Sequence, residues 1–246
     1  MNRSHLLTLA FFLLSCAGVI ACNRPSAPAD TSALHLWTPY AEVSTAAIAA
    51  YGEDRCFSAQ PISDAIFARM QGKSYKENEH IKRSDLRYVR ALHYDGHGKV
   101  RIGEMVCHKG IAADLVSIFR ELYRKKYPIE RMVLIDNYDA DDETSMRANN
   151  SSCFCYRVVK GSKVLSEHSK GRAVDINTLY NPYVKRRADG TLYVQPSTGT
   201  PYVDRSAKFP YKITKNDLCY KLFLKHGFIW GGSWKSVKDY QHFEKP

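Results

Sequence analysis

Acidic side chains are scarce in this 246-residue chain: 25 Asp and Glu stand against 36 Lys and Arg, a formal net charge of +11. A basic surface favours anionic partners without choosing among them. No helix-turn-helix, zinc-finger or RNP pattern is present, so nothing directs that charge to nucleic acid, and none is expected as a partner. Cell-wall polymers and anionic lipid headgroups carry the same sign, and such charge also serves solubility alone. Structural zinc clusters rich in cysteine are missing too, because Cys153-Phe154-Cys155 has no matching second pair. The acidic run from Asp136 to Glu143 lacks the spacing of an EF-hand loop and reads as a solvated loop.

What is present fits one globular domain with a real core, at 44% hydrophobic and 25% charged residues. The N-terminus stands apart. Arg3 precedes an apolar run, Leu6 to Ile20, that is too short to span a bilayer comfortably. Val19-Ile20-Ala21-Cys22 resembles a bacterial lipobox, which implies that residues 1–22 are a signal segment and that the Cys22 thiol is acylated. Leu13 to Cys16 fits that pattern less well, since its apolar run would be shorter. Asn23 follows Cys22, as in lipoproteins sorted to the outer membrane of a diderm host. The expected location is therefore the periplasmic face of the envelope, with a membrane anchor. Residues 23–39 read as a flexible tether, richest in Pro, Ala, Ser and Asp over 23–32. The folded domain is then 40–246, expected as a monomer.

Seven cysteines are present; losing Cys16 with the signal and Cys22 to lipid leaves Cys56, Cys107, Cys153, Cys155 and Cys219. Export permits disulfides, and an odd number allows at most two bridges, with no pairing selected.

Local patterns give an α+β order. Ala46 to Ala50 and Ile62 to Met70 have helical character. Leu86 to Tyr94 and Val100 to Val106 read as a hairpin around Asp95-Gly96-His97-Gly98, and the histidines at 93, 97 and 108 read as surface or packing residues. Leu115, Ile118, Phe119 and Leu122 fall on one face of a helix predicted over 112–126. Met132 to Ile135 reads as a short strand. A further helix is predicted from a Thr214 cap to His226, followed by a core strand at 228–230. Lys185 to Lys208 reads as a rim or lid.

Two stretches carry the chemistry. One is Ser166-Glu167-His168-Ser169-Lys170-Gly171-Arg172-Ala173-Val174-Asp175, or S-x-H-x-x-G-x-A-x-D. The other is Trp230-Gly231-Gly232-Ser233-Trp234 followed by Asp239-Tyr240-Gln241-His242-Phe243-Glu244. Two imidazoles and a carboxylate, His168, Asp175 and His242, are the donor set of a catalytic zinc site. Asp239 is a further carboxylate close enough in sequence to serve as general base.

Read together, the two motifs resemble the zinc peptidases of bacterial cell walls: D-alanyl-D-alanine carboxypeptidases, VanX-like D,D-dipeptidases and L-alanyl-D-glutamate endolysins. The resemblance implies a Hedgehog/D,D-peptidase fold with a small, largely antiparallel sheet flanked by helices. It implies one zinc ion and hydrolysis of peptidoglycan peptides, at a bond that the sequence leaves open. Asn149-Asn150-Ser151-Ser152 and Tyr156-Arg157 look like the family's run ahead of the zinc motif. Arg157 is thereby the expected cation for an oxyanion or a substrate carboxylate. Ser166, Trp230 and Trp234 are candidate substrate contacts. A non-catalytic peptidoglycan-binding lipoprotein of the same fold would be marked by a lost ligand or base, and all four positions are filled. A purely structural zinc domain would need four protein ligands.

Overall fold

The computed structural model describes residues 29–159 and 163–246. The signal segment, Cys16 and Cys22 lie outside the described residues, as do residues 23–28 of the tether. Its remainder is not a tether from Ser32 onward. Helix α1 (Ser32–Leu36) brings Leu34 and Trp37 into the core at 0% and 3% exposure. The Trp37 indole donates to the Gly103 carbonyl at 3.1 Å. Burying two large apolar groups outweighs the loop-like composition just before them.

Helix α2 (Thr45–Tyr51) starts at Ser44, whose hydroxyl accepts from Ala47 N–H. Strand β1 (Ser58–Pro61) and helix α3 (Asp64–Met70) follow. The predicted hairpin is β2 (Leu86–Tyr94) with β3 (Val100–His108), paired throughout from Leu86↔His108 to Tyr94↔Val100. The Asp95 carboxylate closes its turn by accepting from His97 and Lys99 N–H. With β1 on the far edge this is an antiparallel sheet of three strands. Helix α4 (Lys109–Arg124) covers it through Ile111, Leu115, Ile118, Phe119 and Leu122, all buried. It begins before the predicted residue because the His108 ring accepts from Gly110 N–H.

The next stretch corrects two expectations. Met132 to Ile135 forms no strand; the Met132 carbonyl accepts from Glu104 N–H, and Leu134 N–H donates to the buried Glu104 carboxylate. The acidic run is not a solvated loop either. Asp136 is buried and accepts from Ser74 N–H and its hydroxyl, and Asp141 caps helix α5 (Asp142–Arg147). These carboxylates have partners that a disordered loop would not supply.

The rest of the chain builds two more three-stranded antiparallel sheets, so the described residues form three small sheets where one was expected. Strand β4 (Ala173–Asp175) precedes a hairpin of β5 (Tyr183–Arg186) and β6 (Leu192–Gln195). Helix α6 (Leu218–Lys225) is capped by Asp217, not Thr214, because its carboxylate accepts from both Cys219 and Tyr220 N–H. Strands β7 (Ile229–Trp230), β8 (Lys238–Asp239) and β9 (His242–Glu244) complete the order. One sheet runs β4-β9-β7 and the other β6-β5-β8. The predicted rim at 185–208 is thus in part a hairpin, joined to β8 by the pair Tyr183↔Asp239. The five cysteines form no bridge: all are buried free thiols, packed as small apolar groups.

Candidate metal centre

His168 sits on a short 3-10 turn, Glu167–Lys170. Ser166 caps the turn, its hydroxyl accepting from His168 N–H at 3.3 Å. Gly171 ends it at φ +65°, where a Cβ would lie 2.7 Å from the His108 nitrogen. Glycine alone meets both conditions. The His168 Nδ1 lies 2.6 Å from the Cys153 carbonyl. A carbonyl only accepts, so Nδ1 is the donor there and Nε2 is the nitrogen that faces the centre.

Asp175 and His242 are direct partners across β4 and β9 and therefore share a face. The Asp175 Oδ2 is 3.2 Å from His168 Nε2, and its Oδ1 is 3.1 Å from His242 Nδ1. The ligand atoms of the three residues all lie within 4.8 Å of one another. His242 Nε2 is 3.0 Å from Glu244 Oε2, on the same face of β9. Asp239 is close enough to act electrostatically on His242, and its Oδ1 is buried without a hydrogen-bond partner. Gly231 makes this approach possible: a Cβ there would stand 2.8 Å from the Asp239 carbonyl oxygen and 2.9 Å from its Cβ.

Residues 160–245 match the family model described as D-alanyl-D-alanine carboxypeptidase. The match contains His168, Asp175, Asp239 and His242. This part of the chain is similar to that peptidase family. No curated protein and no solved structure matches the chain. The α+β arrangement of small antiparallel sheets and helices is compatible with a D,D-peptidase-like fold.

The electrostatics of this region suit a cation at its centre. Burial works against the Asp175 carboxylate, yet the charge of His168 and hydrogen bonds from both imidazoles hold it well below the usual range. Burial would depress His242, but its bonds to Asp175 and Glu244 push it up to about 10. An imidazole so placed between two carboxylates takes either a proton or a metal. Burial pushes Asp239 up to about 7, with Asp175 adding to the rise against the pull of the two imidazoles. The donor set fits a dication bound through His168 Nε2, Asp175 and His242 Nδ1.

The other candidates divide. Trp234 is half-buried, its ring 5.3 Å from that of His242, and so borders the site. Trp230 is buried, donates its indole N–H to the Tyr240 carbonyl and packs on Tyr220 and Phe243. Ser166 is buried too, and its hydroxyl caps the 3-10 turn. Arg157 makes an ion pair with Asp142 at 2.5 Å, and the charge of Asp175 also acts on it. Glu244 and the Cys153 carbonyl are functional groups that the sequence reading passed over. Strand alternation is the signal for Glu244, two residues after a ligand; a backbone carbonyl gives none.

Proposed function

We propose that the chain is a zinc-dependent peptidase that hydrolyses peptide bonds in peptidoglycan stem peptides. The observation that carries this reading is the convergence of His168, Asp175 and His242, with the Asp239 carboxylate beside them and its Oδ1 buried. Bound by those three residues, zinc supplies Lewis acidity and lowers the pKa of water. Asp239 takes the proton of the attacking water and hands it to the leaving amine. Burial raises the pKa of that carboxyl against the pull of a bound cation, which suits a group that takes and returns a proton within one turnover. Arg157, held by Asp142, is the cation we assign to the developing oxyanion or to a substrate carboxylate. Trp234 borders the bound peptide.

The anchor belongs to the same proposal. Acylated Cys22 would hold the domain at the periplasmic face of the envelope, in the outer membrane of a diderm host. Only the nine residues 23–31 then lie between lipid and α1, spanning roughly 30 Å at full extension.

The test is digestion of purified peptidoglycan and of defined stem peptides, with zinc and with chelator, read by mass spectrometry. Zinc-dependent loss of a terminal Ala identifies a carboxypeptidase. A cut within the stem identifies an endopeptidase. Zinc bound without cleavage overturns the reading in favour of a wall-binding lipoprotein.

A further inference from the structure

The β5–β6 hairpin carries a second set of side chains on the face that bears Asp239. Direct partners of an antiparallel pair share a face, as do alternate residues along a strand. Tyr183 is opposite Asp239 on one side and Gln195 on the other, and Lys185 is opposite Tyr193. One face therefore runs from Asp239 through Tyr183 and Gln195 to Lys185 and Tyr193. The Tyr183 and Tyr193 rings stand edge to face, 6.2 Å apart. Arg187, just past β5, lies with its Cζ 5.2 Å from the centre of the Tyr193 ring. The face thus begins at the carboxylate beside the metal donors, continues over two aromatic rings and ends in two cations.

Those cations are available. Lys185 and Arg187 are exposed, and among the described residues neither forms an ion pair with a carboxylate. Asp189 in the hairpin turn feels the charge of Arg187 but spends its carboxylate on the N–H and hydroxyl of Thr191. Lys238, on the opposite face across from Val184, donates to the Trp234 carbonyl and adds no negative charge. Along an extended strand Lys185 stands roughly 7 Å, and Arg187 roughly 13 Å, from the position opposite Asp239.

We propose that this face is a substrate subsite that selects peptides bearing a free carboxylate about two to four residues from the bond that is cut. The tyrosine rings receive the intervening peptide, and Lys185 and Arg187 receive the carboxylate. The inference rests on the hydrolytic reading above and adds to it a choice by charge.

A matched pair of probes tests it: L-Ala-γ-D-Glu-L-Lys-D-Ala-D-Ala with a free α-carboxylate on its Glu, and the same peptide with that group as a carboxamide. Binding is titrated calorimetrically in the full chain carrying Asp239→Asn and loaded with zinc, so that it is read without turnover. The acid should bind about five- to tenfold more tightly than the amide. Adding Lys185→Gln and Arg187→Gln should bring the two within about twofold by weakening the acid alone, at unchanged melting temperature. Equal binding of both peptides, no binding of either, or a preference that survives the double substitution overturns the subsite. The unsubstituted chain is assayed for hydrolysis in parallel. A preserved acid preference with no cleavage would overturn the hydrolytic reading and leave the subsite standing.

Discussion

His242 and Glu244 lie on one face of β9, with the imidazole Nε2 3.0 Å from the carboxylate. The contact turns the other ring nitrogen, Nδ1, towards Asp175 and fixes the ring. His168 receives the same service from the Cys153 carbonyl, which no side-chain substitution can remove. Glu244→Gln should therefore loosen zinc by about 10- to 100-fold, measured by chelator competition, while the melting temperature of the metal-free chain barely moves. Unchanged zinc affinity would remove Glu244 from the site.

Asp239→Asn should retain zinc and lose turnover by at least about 100-fold. The pH profile carries a second expectation. Burial pushes the carboxyl up to about 7 in the metal-free site, and a base works only when ionised, so kcat/KM should rise with pH along an acid limb. A dication beside the carboxylate draws its pKa down, which puts the acid limb at or below about 7. A rate flat from pH 5 to pH 8 would assign the proton transfer to another group.

Trp37 tests the fold's N-terminal boundary. The ring is 3% exposed and its N–H is bonded to Gly103. Trp37→Ala should cost about 3–5 kcal/mol in urea unfolding. A chain starting at residue 40 should fail to fold cooperatively, while one starting at residue 29 should fold. Equal stability of the two would return residues 29–39 to a linker.

His93 gives a pH dependence of stability. The ring is buried, its Nδ1 donates to the Ile129 carbonyl at 2.6 Å, and its Nε2 has no partner. Burial pushes its pKa down to about 4 from an ordinary 6.5. Between those values the unfolded chain binds a proton that the folded chain refuses. Stability is therefore intact above about pH 6.5 and drains as pH falls towards 4, by about 2 kcal/mol between pH 7 and pH 5. His93→Asn should flatten that slope in urea unfolding at the two pH values. An unchanged slope would mean that His93 is not its source.

The sequence reveals features whose determinants are local. The β2–β3 hairpin follows from alternation and an Asp-Gly turn, and α4 from a 3.6-residue stripe. The spacing from His168 to Asp175 is readable because a capped turn and a short strand follow directly from the sequence between them. Features set by distant partners are not readable. Asp136 looks like loop because its partner, Ser74, is 62 residues away. Trp37 looks like linker because Gly103 is 66 residues away. Trp230 and Trp234 look equivalent in W-G-G-x-W, yet the first enters β7 and the core while the second leaves the 3-10 turn beside His242.

The candidate metal donors Asp175 and His242 belong to one sheet and Asp239 to another, and only Tyr240 and Gln241 join β8 to β9. That link works as a spacer gauge. Its length sets the gap between Asp239 and His242, and Gly231 wedges under both its ends, a Cβ there being 2.9 Å from Asp239 Cβ and 3.3 Å from His242 Cβ. Adding or deleting one residue in it would turn the carboxylate to the other side of its strand while leaving every donor in place. Between its two sheets, this protein would therefore lose the proposed chemistry through a change of length alone, with every site residue intact.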